Sequence, residues 1–123
     1  MKKESRRSHR VADLVRAELA KIVLIEAHDP DLRGVTITDV EMPSDLRSAR
    51  VYFSCLSEDE RSRAAEALER AAGYLRSEIG QRCRLRYAPE LTFISDRSLE
   101  HGARIEELLH QVLPPRDGNG EEP

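Results

Sequence analysis

The chain has 123 residues, of which 39% are apolar and 35% charged, with no tryptophan and a formal net charge of −3. That is the length of one domain, enough to bury a core of Leu, Ile, Val and Ala without a metal or a disulfide framework. Two cysteines outside any CxxC, no apolar run of membrane-spanning length and a basic opening without a secretory apolar stretch point to a reducing cytoplasm.

Residues 5–28 read as a long amphipathic helix. Val11, Leu14, Val15, Leu19, Ile22 and Val23 recur at helical spacing, and Ser5 or Ser8 can supply the N-cap. Pro30 and Gly34 in HDPDLRG stop it. VTITDVEM (35–42) and SARVYFSCL (48–56) are two strands joined by a short PSDL turn, so they pair antiparallel. In the second strand Ala49, Val51, Phe53 and Cys55 alternate with Ser48, Arg50, Tyr52 and Ser54, which predicts one buried and one wet face. A second helix starts at the N-cap Ser57 behind an acidic first turn and carries Ala64, Ala65, Leu68, Ala71 and Ala72 inward. Gly73 is expected to break it, with a further helical piece through Leu75 and Ile79 to about Gly80. ELTFISD is a third strand, and a short helix carries Ile105, Leu108, Leu109 and Val112. Leu14, Val51, Leu68 and Phe93 are assigned to the core. Residues 1–113 form the domain, and 114–123 are a disordered tail by composition. The order is that of a two-layer α+β domain with a small three-stranded sheet.

The acidic total hides two basic segments. Residues 1–16 hold six basic and two acidic side chains, and residues 70–87 hold five arginines against Glu78. Such segments are the footprint of a polyanion partner. Guanidinium bonds phosphate bidentately and keeps its charge. The residues assigned to this contact are Arg6, Arg7 and Arg10 on the first helix, Arg50 on the wet strand face, and Arg76, Arg82, Arg84 and Arg86 after the break. Arg82, Arg84 and Arg86 alternate, so on an extended approach to the third strand they would project together. Tyr74 and Tyr87 are available to stack on bases or to pack. Enzyme signatures are absent: no GxxxxGK[ST], GxGxxG or GxSxG occurs, and His9, His28, His101 and His110 stand at no metal-ligand spacing. No residue pattern asks for a cofactor.

VTITDVEMPSDLRSARVYFSCL, followed by ERAAGYLRSEIGQRCRLRYAPELTFISDRSLEHGARIEELL, resembles the ribosome-binding factor A family, bacterial maturation factors of the small ribosomal subunit. RAELAKIV in the first helix is similar too, so the resemblance runs over nearly all of 5–112. It implies a KH-like fold of the bacterial type II topology, α-β-β-α-kink-α-β. In place of the GXXG clamp of KH domains it implies an interhelical kink, here Ala71, Ala72 and Gly73. It further implies a monomeric, non-catalytic cytoplasmic protein that needs no metal or cofactor and binds no membrane. Its partners would be the free 30S subunit and its 16S rRNA. Its role would lie in late maturation, processing of the rRNA precursor and cold adaptation. Two other classes stay open on the residues alone: a module whose basic segments meet an acidic protein, and a small hydrolase or nuclease.

Overall fold

The computed structural model describes residues 4–26 and 28–96. Helix α1 spans Arg6–Lys21. Ser5 is its cap: Ser8 N donates to Ser5 Oγ at 3.1 Å, and Ser5 N donates to Ser8 Oγ at 2.7 Å, closing a capping box. No acidic residue sits in that first turn; the nearest, Glu4 before the cap, has its carboxylate 3.2 Å from His9 Nε2. After Lys21 the helix widens into a π-helical turn, Ile22–Glu26, and a 3-10 turn, Pro30–Leu32, follows.

The strands are β1, Thr36–Glu41, β2, Ser48–Ser54, and β3, Glu90–Ser95, in the sheet order β1-β2-β3. β1 and β2 pair antiparallel, as their short connection requires. The register slips between Ile37 and Asp39, leaving Thr38 as an extra residue, and this bulge lets Thr38 Oγ1 donate to Asp96 Oδ2 at 2.8 Å. β3 pairs parallel to β2, Ser48 opposite Glu90 and Phe53 opposite Ser95. Parallel neighbours need a long crossover, and helix α2, Glu58–Arg82, supplies it.

Alternation along β2 holds over most of its length: Ala49, Val51 and Phe53 are buried, Arg50 is exposed and Tyr52 half-buried. It ends at Ser54, which is buried at the close of the strand. The apolar face of the sheet packs on α1 and α2 through Val15, Leu19, Ile22, Leu68, Leu75 and Ile79. Val51 and Leu68 are in this core, and Phe93 packs against it half-buried.

Leu14 is not a core residue; it is 43% exposed. At 3.6 residues per turn Ser8, Ala12, Val15 and Leu19 share one face, and Leu14 lies roughly 120° round from Ser8. The buried side of α1 is thus built partly from Ser8 and Ala12, small residues that admit β1 closely.

The expected break in the second helix is also corrected. α2 is a single 25-residue helix that runs through Ala71, Ala72 and Gly73. Ser57 Oγ caps it, accepting from Glu60 N at 3.1 Å, and Leu68, Leu75 and Ile79 hold both sides of Gly73 against the core. A glycine inside a helix costs roughly 0.5–1 kcal/mol relative to alanine, too little to end a helix anchored on either side. Gly80 does not end it either. Its missing Cβ is where the returning chain lies, since a Cβ there would stand 3.2 Å from Ala88 Cβ. The predicted helix over 105–112 and the 114–123 tail lie outside the described residues.

At Gly73 an added Cβ meets nothing within 4 Å. Gly73→Ala is expected to raise stability by about 0.5–1 kcal/mol, read as a higher urea midpoint. A lowered midpoint would mean that the backbone at Gly73 needs glycine.

Candidate nucleic-acid interface

Strand register decides where the arginines go. The end of β1 (Glu41), the third residue of β2 (Arg50) and the start of β3 (Glu90, beside Ser48) lie at one end of the sheet. The first turns of α1 border the same end, because Ser8, His9 and Ala12 line a hollow with Val40, Glu41 and Met42. The last turns of α2 arrive there too: Arg76 Nε donates to the carbonyl of Ala88 at 3.2 Å, just before β3. Two segments some seventy residues apart thus present Arg6, Arg7 and Arg10, and Arg76, Arg84 and Arg86, at one end of the fold. All six are exposed.

The assigned arginines differ in what already holds them. Among the described residues Arg6, Arg7, Arg10, Arg84 and Arg86 have no ion pair, which leaves their charge available to an anion. Arg50 is half committed. Its Nη2 is 3.0 Å from Glu41 Oε1, the atom that also accepts from the Tyr52 hydroxyl at 2.9 Å. That bond to Glu41 pushes the Tyr52 phenol up from its usual range.

Arg82 is fully committed, which corrects its place among the outward arginines. It stands in the last turn of α2 and not on an extended segment. Its Nη1 and Nη2 donate to the two carboxylate oxygens of Glu26 at 2.9 and 2.5 Å, and its Nε donates to Glu78 Oε1 at 3.0 Å. Glu18 lies 3.7 Å away. The bidentate fork fits a carboxylate as it would a phosphate, and here it ties the end of α1 to the end of α2. The hydrogen bond from Arg82 holds the Glu26 carboxyl below its usual 4.5, and Glu26 in turn raises Arg82. Arg70 serves in the same way. Its Nη2 reaches Asp29 Oδ2 at 2.9 Å and Asp31 Oδ2 at 3.6 Å, fastening α2 to the 3-10 turn.

Nor do Arg84 and Arg86 continue a strand. Arg84 has φ 53°, the left-handed conformation. Arg84 N donates to Gln81 O at 3.2 Å and Leu85 N to Gly80 O at 3.0 Å, the two bonds of a Schellman motif. The position that this motif usually gives to glycine is arginine here, and half-buried Leu85 packs on the core beside it. The turn throws Arg84, Arg86 and Tyr87 outward before buried Pro89 fixes the entry to β3.

One member of the cluster was not assigned from the sequence. Arg47, exposed at the start of β2, lies with its Cζ 4.4 Å from the centroid of the Tyr87 ring, and Arg86 Cζ lies 5.5 Å from it. Among the described residues no group of three His, Cys, Asp or Glu could hold a metal ion, and no helix is long and apolar enough to cross a membrane.

A mixed three-stranded sheet with two helices on its apolar face, entered by α1 and closed by a crossover helix, is a KH-like α+β fold. The sequence matches the family model for ribosome-binding factor A over residues 7–109. A ribosome-binding factor A of Caldanaerobacter subterraneus subsp. tengcongensis is 45% identical over 114 residues, 91% of this chain and 93% of that protein. The crystal structure of ribosome-binding factor A from Thermus thermophilus superposes with a TM-score of 0.63 at 27% identity, covering 72% of this chain and 94% of that one. A homology model of the Thermus thermophilus factor, as fitted into the cryo-electron-microscopy map of its 30S complex, gives a TM-score of 0.61 at 28% identity, covering 74% of this chain and 96% of that one. The chain belongs to the ribosome-binding factor A family.

Two outcomes separate the inward arginines from the outward ones. Glu26 has a folded pKa below its unfolded value, so its pairing stabilises the protein above about 4.5 and is lost as pH falls through the depressed folded value. Arg82→Met is therefore expected to lower the thermal midpoint at pH 7, and to lose less further stability than the parent between pH 5 and 3 as read by circular dichroism. Arg84→Gly is expected to act the other way on the fold, adding up to about 1 kcal/mol by relieving the left-handed arginine, while weakening binding of a polyanion. Unchanged binding in Arg84→Gly would remove Arg84 from the interface.

Proposed function

We propose that this protein is a non-catalytic assembly factor that binds the free 30S subunit through its 16S rRNA. It acts in late maturation, in processing of the end of the rRNA precursor and in adaptation to cold, as a monomer in the cytoplasm. Family membership and the Thermus thermophilus relative in its 30S complex support this reading. The observation that carries it is electrostatic: in a chain of net charge −3, one end of the sheet collects exposed arginines that lack an ion pair among the described residues. Guanidinium groups left open to solvent at one locus attract phosphate and release its counterions.

The contact set is Arg6, Arg7 and Arg10 on α1, Arg50 on β2, and Arg76, Arg84 and Arg86 around the end of α2. Each would meet a phosphate. Arg82 is left out because its charge is spent on Glu26 and Glu78. Gly73 and its alanine neighbours have no contact role in this reading; they are part of the crossover helix that delivers Arg76.

The decisive measurement is co-sedimentation with isolated 30S subunits, 50S subunits and 70S ribosomes across a salt series. Selective pelleting with 30S, weakened by salt, is expected. Each of Arg76→Ala, Arg84→Ala and Arg86→Ala should lower the salt slope by about one. Equal binding to all three particles would reduce the protein to a general polyanion binder. Binding to none would favour a module for an acidic protein partner.

A further inference from the structure

We propose that Tyr87, backed by Arg47, is a stacking site for an unpaired nucleobase, so that this end of the sheet takes RNA as a single strand. The proposal rests on the RNA-binding reading above and specifies the form of RNA.

The argument begins with what Tyr87 does not do. An aromatic side chain in a domain with few aromatics would stabilise most by entering the core, yet Tyr87 is 44% exposed between half-buried Leu85 and buried Pro89. Those two neighbours anchor the segment, so the ring is held at the surface by a fixed backbone. The Schellman turn at Arg84 on one side and Pro89 on the other leave the segment little freedom to swing. Arg47 then lies over the ring at 4.4 Å, inside the range of a cation–π contact, and Arg86 lies at 5.5 Å. The ring orientation is thus set before any ligand arrives, which lowers the ordering cost of binding.

The surrounding charge says what the ligand is. Arg47, Arg84 and Arg86 crowd this segment, with Arg76 bonded to the carbonyl of Ala88 next to Tyr87. The acidic neighbours are Asp45, whose Oδ1 accepts from Arg47 N, and Glu90 at the start of β3. Two carboxylates against four guanidiniums leave positive charge around a partly exposed aromatic ring. A group that satisfies both is a π-surface carrying phosphate, which is a nucleotide. A duplex keeps its base faces stacked and offers this site only phosphate, whereas a single strand can place a base on the ring and its flanking phosphates on the arginines. Stacking is tolerant of base identity, so the site selects strandedness and not sequence.

The test uses the full chain and three fluorescently labelled RNAs of equal length: ten uridines, the same backbone with abasic riboses, and a ten-base-pair duplex. Anisotropy titrations are expected to show the uridine strand bound about tenfold more tightly than the abasic strand. Tyr87→Phe, which keeps the ring, should retain that preference, and Tyr87→Leu should abolish it while leaving the salt dependence. If Tyr87→Leu fails to fold, Tyr87→Ser takes its place with the same expected loss of the preference. Equal affinity for the uridine and abasic strands, tighter binding of the duplex, or a preference that Tyr87→Leu retains overturns the stacking site and leaves the RNA reading standing. Binding to none of the three, with no pelleting on 30S subunits, overturns both.

Discussion

Everything at the candidate interface depends on the parallel pairing of β3 with β2. A parallel neighbour cannot be reached by a turn, so the chain must travel back along the sheet before β3 begins. α2 makes that return at a length of about 37 Å for its 25 residues. The return brings the basic stretch 76–87 to the end of the sheet where β2 starts. The α1 capping box and the packing of α1 on β1 bring Arg6, Arg7 and Arg10 to the same end. An antiparallel β3 joined by a hairpin would have left the two basic segments apart.

The arginines divide into two groups with opposite duties. Arg70 and Arg82, and Arg61 with its partner Glu58, face carboxylates of their own chain. They fasten α2 to the 3-10 turn, to the π-helical turn after α1 and to its own first turn. Arg6, Arg7, Arg10, Arg84 and Arg86 are exposed and have no ion pair among the described residues, and Arg50 stands between the two groups through its pair with Glu41. This division explains how a chain of negative net charge can still offer a phosphate-binding locus: Glu26, Asp29, Asp31, Glu58 and Glu78 are held in internal ion pairs, while Glu4, Asp13, Asp39 and Glu41 line the hollow on its α1 side. A pair such as Arg82–Glu26 is bidentate and only a quarter exposed on the arginine side, which makes it more than an ordinary surface contact.

Local strain falls where the charge is wanted. The Schellman position after α2 would cost least as glycine, and it holds Arg84 in the left-handed conformation. Close by, Gly80 gives up its side chain so that Ala88 can approach the helix. The two exchange the expected residue types: glycine inside the helix makes room for the returning chain, and arginine in the turn supplies charge. The Tyr87 platform needs both, because the turn sets its direction and the close approach sets its depth.

The sequence by itself determined the order of the described elements, the antiparallel β1–β2 pair, the alternation of β2 as far as Phe53 and the N-cap Ser57. Each of these follows from near-neighbour spacing and local capping chemistry. It also showed the two basic segments, because charge clustering is visible along the chain. Tertiary structure alone decided that α2 runs unbroken through Gly73, since distant contacts at Leu68, Leu75 and Ile79 outweigh one residue's propensity. It decided that Leu14 stays outside and Ser8 inside, because the position of β1, and not side-chain size, chose the buried face of α1. It separated Arg82 from Arg84 and Arg86, although their spacing suggested one row, because Glu26 lies 56 residues away in the chain. It also joined Arg47 to Tyr87, forty residues apart, through the register of β2 and β3. A pattern of residue types reports which groups are available; only the folded chain determines which of them satisfy one another and which remain for a partner.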